Sequence, residues 1–177
     1  IKQAPMLQSI EENMTAFQNH QAIPNIITEP FANAFGLIGG GGCILPLVIA
    51  ILWVSRRRDQ RQIAKMGLTT CLFNITEPVM FGLPVVMNPI FMIPCAIIPS
   101  INLIIAYFAT SVGLVGKTVA AAPWITPPVI QSIIATGGNL MAGVLTILLI
   151  VLDVFLFLPF VMASNKAAQL RGDDLIG

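Results

Sequence analysis

The sequence predicts an all-α, polytopic membrane protein with about three transmembrane helices and one re-entrant hairpin. The chain has 177 residues, of which 56% are hydrophobic and 10% charged, and its mean hydropathy is +0.86. An average soluble domain carries about 25% charged residues, so a soluble chain of this length would need many more charges to cover its surface. The net charge of +1 comes without a basic patch interleaved with aromatic residues, so no nucleic-acid partner is predicted.

Three stretches are long and apolar enough to form spanning helices. Residues 37–55 form a run of 19 residues without a charge, about 28 Å as a helix, which is enough to cross the hydrocarbon core. Residues 93–116 form the second predicted span and end just before Lys117. Residues 140–163 form the third and contain a single charge, Asp153.

Residues 67–89 are also apolar, but Pro78, Gly82, Pro84 and Pro89 interrupt them and disfavour a spanning helix. Basic residues follow both the first span and the last, and the positive-inside rule places both groups in the cytoplasm. A full crossing by residues 67–89 would put these two groups on opposite sides of the membrane. The sequence therefore predicts that residues 67–89 enter and leave on one side, as a re-entrant hairpin.

Glu77 is the only charged residue between Met66 and Gly116. A carboxylate at the middle of a bilayer costs about 2.5–3.5 kcal/mol on insertion scales, so it is kept where it has a partner or a task. It lies in the sequence Asn-Ile-Thr-Glu-Pro, and broken helices of this kind present polar groups to a substrate in transporters. Asn74, Thr76 and Glu77 are therefore predicted to bind a neutral polyol. The alternative is a glutamate at a loop tip on the membrane surface.

The tetrapeptide Ile-Thr-Glu-Pro occurs twice, at residues 27–30 and 75–78. An asparagine precedes each copy, Asn25 and Asn74, and a Phe-Gly pair follows each. The repeat indicates either a deliberate motif or chance combined with the common use of Thr and Pro at helix starts. One tetrapeptide does not establish an inverted repeat.

Trp124 lies in a proline-rich loop, Ala-Pro-Trp-Ile-Thr-Pro-Pro, at residues 122–128. A tryptophan held in such a loop is suited to stack on the apolar face of a sugar ring. The alternative is an interfacial residue of an aromatic belt. Trp53, close to Arg56 at the end of the first span, is predicted to be a belt residue.

The remaining polar and sulfur-containing residues favour structural roles. Asp153 lies inside a span, where an acid is a functional hypothesis by default, but its sequence neighbours are apolar and a helix-locking hydrogen bond is favoured. The cysteines have no CxxC spacing or nearby His and are predicted to be buried hydrophobes: Cys43, Cys71 and Cys95. The sequence contains no phosphate-binding loop, metal-ligand spacing or nucleophile–base pair, so no catalytic residue, metal or cofactor is predicted.

Together these motifs closely resemble the membrane subunit, enzyme IIC, of bacterial sugar phosphotransferase systems, and the lactose/cellobiose/diacetylchitobiose branch fits best. The resemblance covers nearly the whole chain, and it implies that residues 1–177 correspond to the C-terminal, substrate-binding part of that subunit. It implies that the N-terminal spans, and a first hairpin with a catalytically important His, lie outside this chain. His20 is not in the Gly-rich motif of that hairpin and is not assigned its role. The matching segments are residues 24–31, 74–84, 87–89 and 122–128, and the span with Asp153.

The resemblance implies a multi-pass permease of the bacterial cell membrane with a cytoplasmic C-terminus. It would carry a disaccharide of the cellobiose, lactose or diacetylchitobiose type inward for phosphorylation by a phosphocysteine of the IIB protein. Glu77 would bind sugar hydroxyls and Trp124 would pack on the sugar. The expected partners are the disaccharide, the cytosolic IIA and IIB phosphocarrier proteins, the lipid bilayer, and a second copy joined through the N-terminal part. The chain would have no phosphoryl-transfer residue of its own.

Two other functions stay open at the level of sequence. One is a secondary transporter coupled to protons or sodium, with Glu77 and Asp153 as ion sites. The other is a non-transporting membrane scaffold in which both acids are structural.

Overall fold

The computed structural model describes residues 3–171, and within them the chain folds into eight α-helices. A π-helical turn, Ala32–Gly36, continues α2, and a 3-10 turn, Val85–Met87, precedes α6. This architecture confirms the predicted all-α fold. The helices are α1 Gln3–Gln18, α2 Glu29–Phe31, α3 Ile44–Val54, α4 Arg58–Leu72, α5 Glu77–Gly82, α6 Pro89–Ser111, α7 Pro128–Ala135 and α8 Leu140–Arg171.

Two of the described helices, α6 and α8, are long and apolar enough to cross a membrane, as judged by length and composition. The Asn88 side chain accepts a hydrogen bond from the backbone N–H of Ile90 (3.1 Å) and thereby caps the start of α6. This helix ends at Ser111, because the chain turns at Gly113, whose φ is +84°. It therefore lies a few residues earlier than the predicted span, 93–116. The last helix, α8, begins at Leu140 as predicted but continues beyond residue 163.

The first predicted span, residues 37–55, is not one helix. Only Ile44–Val54 is helical, and these 11 residues cover about 16 Å, well short of a hydrocarbon core about 30 Å thick. Gly39, Gly40 and Gly42 have φ angles between 68° and 92°, and this left-handed backbone separates α3 from the preceding turn. A Cβ on Gly39 would lie 2.1 Å from the Cβ of Leu45, so only glycine fits there.

The apolar character of α3 reflects burial inside the protein. Ile44, Leu47, Val48 and Ile51 are fully buried, and the helix packs between α4 and α8. Hydropathy alone does not distinguish a helix surrounded by lipid from a helix surrounded by protein. This is why the sequence predicted a spanning helix at residues 37–55.

The predicted hairpin is confirmed as a helical hairpin formed by α4 and α5, but it begins at Arg58 rather than at residue 67, because the charged residues before Gly67 belong to the same helix. The two helices pack antiparallel, with Gly67 against Val79 and Gly82 against Ile63. A Cβ on Gly67 would lie 2.1 Å from Val79 Cγ2, so the close approach of the two helices depends on this glycine. The tip of the hairpin is the short connection between Leu72 and Glu77.

The start of α4, the end of the hairpin and the end of α8 lie at one end of the molecule. Gln60 accepts a hydrogen bond from Ser55 (2.9 Å) and donates one to Ser164 (2.9 Å), and all three side chains are buried. The segment that follows α5 reaches the same region, because Pro84 lines one cavity with Gln60 and Ser164. The hairpin therefore returns to the side on which it begins.

Candidate functional site

Asn74, at the hairpin tip, connects the hairpin to the loop that carries Trp124. Its backbone is left-handed, with φ of 62°, a conformation that asparagine adopts more readily than most residues. Its side-chain Nδ2 lies within hydrogen-bonding distance of the carbonyl oxygens of Trp124 (2.6 Å) and Thr126 (3.0 Å) and of Gln131 Oε1 (3.2 Å). The structure thus brings together two residues that the sequence predicted for one site, Asn74 and Trp124.

Thr76 lies at the N-cap position of α5, but its side chain is buried and faces the protein. Its Oγ1 lies 3.7 Å from the sulfur of Met80. Its methyl group packs against Gly40, in the glycine-rich turn of residues 39–42 that precedes α3. A Cβ on Gly40 would lie 2.2 Å from Thr76 Cγ2, which makes the close packing of the hairpin tip on this turn dependent on glycine. The position of Thr76 is that of a residue that fixes the tip, and its predicted contact with a substrate stays a prediction.

Glu77 is the first residue of α5, and its side chain is exposed. It accepts no hydrogen bond and forms no ion pair with any residue between 3 and 171. A carboxylate with both oxygens free can accept several hydrogen bonds from a ligand. Glu77 is therefore free to accept hydrogen bonds from a ligand, and its role in substrate binding stays a prediction.

Trp124 is 63% exposed and lines a cavity of about 350 Å³. This volume is at the lower end of the range for small-molecule sites, about 300–1,000 Å³. The polar residues in the cavity wall are Glu29, Asn33 and Gln131. An aromatic face combined with amide and carboxylate groups suits a ligand that has both an apolar face and hydroxyl groups.

Both Ile-Thr-Glu-Pro copies start a helix, but their caps differ. Thr28 and Thr76 occupy the N-cap positions of α2 and α5, and in each copy the glutamate and the proline are the first two helical residues. Thr28 has an extended backbone and accepts a hydrogen bond from the backbone N–H of Phe31, whereas Thr76 has a helical backbone and makes no capping hydrogen bond. In both copies the threonine is buried and the glutamate is exposed. Sequence reasoning noted the repeat but made no prediction for Glu29, which lines the cavity with Trp124.

Asp153 lies outside this site, in the interior of the helix bundle. Its side chain is fully buried, and its Oδ2 accepts a hydrogen bond from Asn102 Nδ2 (2.8 Å), which joins α8 to α6. The same amide lies 3.5 Å from the Cys43 sulfur, at the start of α3. This position agrees with the helix-locking role favoured from the sequence. Within the described part of the chain, no three His, Cys, Asp or Glu side chains are grouped to hold a metal ion.

A second cavity, of about 320 Å³, lies at the end of the molecule where α4 starts and α8 ends. Arg57 lines it and donates two hydrogen bonds to Asp59, at 2.6 and 3.2 Å. This guanidinium lowers the pKa of the Asp59 carboxyl below its usual value. Three further cationic residues follow Arg57 on the first two turns of α4, although they do not line the cavity: Arg58, Arg61 and Lys65.

Comparison with known proteins gives consistent matches. The family described as "Phosphotransferase system, EIIC" matches residues 3–99. The cellobiose-specific EIIC component of Lactococcus lactis subsp. lactis (strain IL1403) is 46% identical over 141 residues, covering 80% of this chain and 28% of that protein. The lichenan permease IIC component of Bacillus subtilis (strain 168) is 33% identical over 168 residues, covering 94% of this chain and 37% of that protein.

A solved structure is also similar. The crystal structure of the transporter ChbC, the IIC component of the N,N'-diacetylchitobiose-specific phosphotransferase system, matches with a TM-score of 0.88 and 32% identity. The match covers 96% of this chain and 40% of that chain. This chain therefore spans well under half of the length of the proteins that it resembles.

Proposed function

This chain belongs to the phosphotransferase system EIIC family, and from that premise we propose that it is the substrate-binding part of a sugar-translocating membrane subunit. The subunit carries a disaccharide of the cellobiose, lactose or diacetylchitobiose type inward, where the cytosolic IIB protein phosphorylates it. The observation that carries this proposal is the hairpin tip. There Asn74 is hydrogen-bonded to the Trp124 loop, and three positions later in the sequence Glu77 presents a carboxylate without a partner among the described residues.

The chemistry of the tip suits a sugar. A sugar ring presents hydroxyl donors around its edge and C–H groups on its faces, so it needs acceptors at one place and a flat apolar surface at another. Glu77 supplies charged acceptors, and hydrogen bonds to an ionised group are about twice as strong as neutral ones. Trp124, which is exposed, supplies the flat surface. In this proposal Glu77 orients the hydroxyl that receives the phosphoryl group.

The phosphoryl-transfer step itself belongs to the partner proteins. Cys43 and Cys71 are buried, and Cys95 is partly buried and lies in the long apolar helix α6, so none is placed as an exposed phosphate carrier. The family's catalytically important His, implied by the resemblance, would come from the part of the subunit that precedes this chain. That part would also provide the contact between two copies in a homodimer.

The arrangement of charges supports an orientation in the bacterial cell membrane. The basic start of α4 lies next to the end of α8, since Gln60 donates a hydrogen bond to Ser164 (2.9 Å), close to Lys166. The positive-inside rule places this end of the molecule, and with it the C-terminus, in the cytoplasm. The cavity lined by Arg57 then opens on the side where the IIA and IIB proteins act.

The test is uptake of labelled disaccharides into proteoliposomes that contain the full-length protein, with IIA, IIB and the general phosphotransferase proteins inside. We expect sugar phosphate to accumulate only when phosphoenolpyruvate is present. Accumulation of unmodified sugar driven by a proton or sodium gradient, without phosphoenolpyruvate, would instead show an ion-coupled transporter. A protein that binds and transports no sugar under either condition would favour the scaffold.

A further inference from the structure

Glu29 lies beside the predicted sugar site, although it is 48 positions away from Glu77 in the sequence. It lines the cavity of about 350 Å³ together with Trp124 and Gln131. Its side chain is exposed and makes no hydrogen bond or ion pair with any residue that the structure describes. The cavity therefore contains a carboxylate that the protein itself does not neutralise.

The backbone that carries Glu29 is held firmly. Thr28, directly before it, is fully buried, and its Oγ1 lies 2.6 Å from Thr118 Oγ1. The same oxygen accepts a hydrogen bond from the backbone N–H of Phe31 (3.3 Å). Pro30, directly after Glu29, is also buried. Because both neighbours are buried, the backbone of Glu29 is held at the wall of the cavity that its side chain lines.

Gln131, in the wall of the same cavity, has an amide group available to a ligand. Its Oε1 lies 3.2 Å from Asn74 Nδ2, and its Nε2 donates to no residue between 3 and 171. Asn74 lies next to Gln131 but does not line the cavity, and its Oδ1 atom is buried without a hydrogen-bond partner within the described residues. Buried polar groups in proteins are normally paired, so the unpaired Asn74 oxygen is an exception that lies beside the cavity.

We propose that Glu29 is a second sugar-binding carboxylate, and that the cavity it shares with Trp124 and Gln131 holds one ring of the disaccharide. This proposal rests on the proposed function. Hydroxyl groups of the ring donate to Glu29, an oxygen of the ring accepts from the Gln131 amide, and one face of the ring lies on Trp124. The second ring extends toward Glu77, which is joined to the cavity through Asn74. The two Ile-Thr-Glu-Pro copies then supply one carboxylate each to a two-ring substrate.

A surface glutamate without a ligand is the simplest competing interpretation. It accounts for the exposure of Glu29, but not for its position in one cavity with Trp124 and the Gln131 amide, beside the unpaired oxygen of Asn74. Glu11 provides a matched control, because it is an exposed glutamate on α1 that does not line this cavity.

The experiment measures disaccharide binding to the purified full-length protein with Glu29→Gln, Glu77→Gln and Glu11→Gln. We expect at least a tenfold loss of affinity for the first two variants and an unchanged affinity for the third. In parallel, Glu29→Cys and Glu11→Cys are treated with a charged thiosulfonate reagent, with and without the disaccharide. The sugar should slow modification at position 29 at least fivefold and have no effect at position 11.

The binding measurements distinguish an incorrect role of Glu29 from an incorrect proposed function. If the wild-type protein binds no disaccharide, the proposed function fails and this inference fails with it. If Glu77→Gln weakens binding while Glu29→Gln binds like the wild type, only this inference is overturned. A loss of affinity in Glu29→Gln without protection at position 29 would also overturn it, because the effect would then be indirect.

Discussion

Replacement of Asn74 tests whether the hairpin tip is positioned by the hydrogen bonds of a single amide. Its Nδ2 lies near three acceptors but has two N–H groups, so about two full hydrogen bonds are lost in Asn74→Gly. At about 0.5–1.5 kcal/mol per bond, the protein should lose about 1–3 kcal/mol of stability. Glycine retains the left-handed backbone, with φ of 62°, and so isolates the contribution of the side chain.

Asn74→Ala loses the same hydrogen bonds and, in addition, places a residue with a Cβ in the left-handed backbone conformation. A residue with a Cβ pays about 1–2 kcal/mol in the left-handed region, so this variant should be less stable than Asn74→Gly by that amount. Asn74→Asp keeps the size of the side chain but replaces the donor with an acceptor. It should be at least as destabilising as Asn74→Gly, because a carboxylate would face the carbonyl oxygens of Trp124 and Thr126.

The assay is reversible unfolding of the full-length protein in mixed micelles, combined with calorimetric titration of the disaccharide. We expect sugar affinity to fall in all three variants, because Glu77 and Trp124 lose their fixed relative position. The reasoning is refuted if Asn74→Gly is as stable as the wild type and binds sugar equally well. Equal stability of Asn74→Ala and Asn74→Gly would contradict the argument from the left-handed backbone.

Three further predictions address the ligands and the topology. Glu77→Gln should reduce sugar binding or uptake at least tenfold, about 1.4 kcal/mol, without changing membrane insertion, and wild-type uptake would exclude Glu77 as a ligand. Trp124→Phe should keep part of the affinity, whereas Trp124→Ala should lose about 1–3 kcal/mol in a binding titration, and an unchanged affinity would make Trp124 an interfacial anchor only. Single cysteines at Arg58, Val112 and Lys166, all exposed positions, should react with an impermeant thiol reagent from the inside, the outside and the inside, respectively. Labelling of position 112 from the cytoplasm would contradict the re-entrant hairpin.

The hairpin was predictable because its signals are local. Prolines and glycines interrupt residues 67–89, and the basic residues on both sides restrict the number of crossings. The long helices α6 and α8 were predictable for the same reason, since continuous apolar composition over more than 18 residues is a property of the segment itself. The spanning helix predicted at residues 37–55 was wrong for a different reason, because a buried helix and a lipid-facing helix have similar compositions.

The amino-acid sequence by itself determined the helical class, the hairpin and the chemical character of its tip. These features follow from local signals, since helix breakers interrupt helices at their own positions, apolar runs form helices over their own length, and the isolated carboxylate lies in the tip itself. Only the tertiary structure decided which distant groups meet there. Asn74 reaches acceptors that are 50 to 57 residues away, and Glu29 lines a cavity with Trp124, 95 positions later. Such contacts depend on how α2, α7 and the hairpin pack together, and the free energy of that packing is distributed over the whole core. No short motif records it. The role of Asn74 as a ligand stays a prediction, and only the structure shows that its amide also joins the hairpin tip to the Trp124 loop.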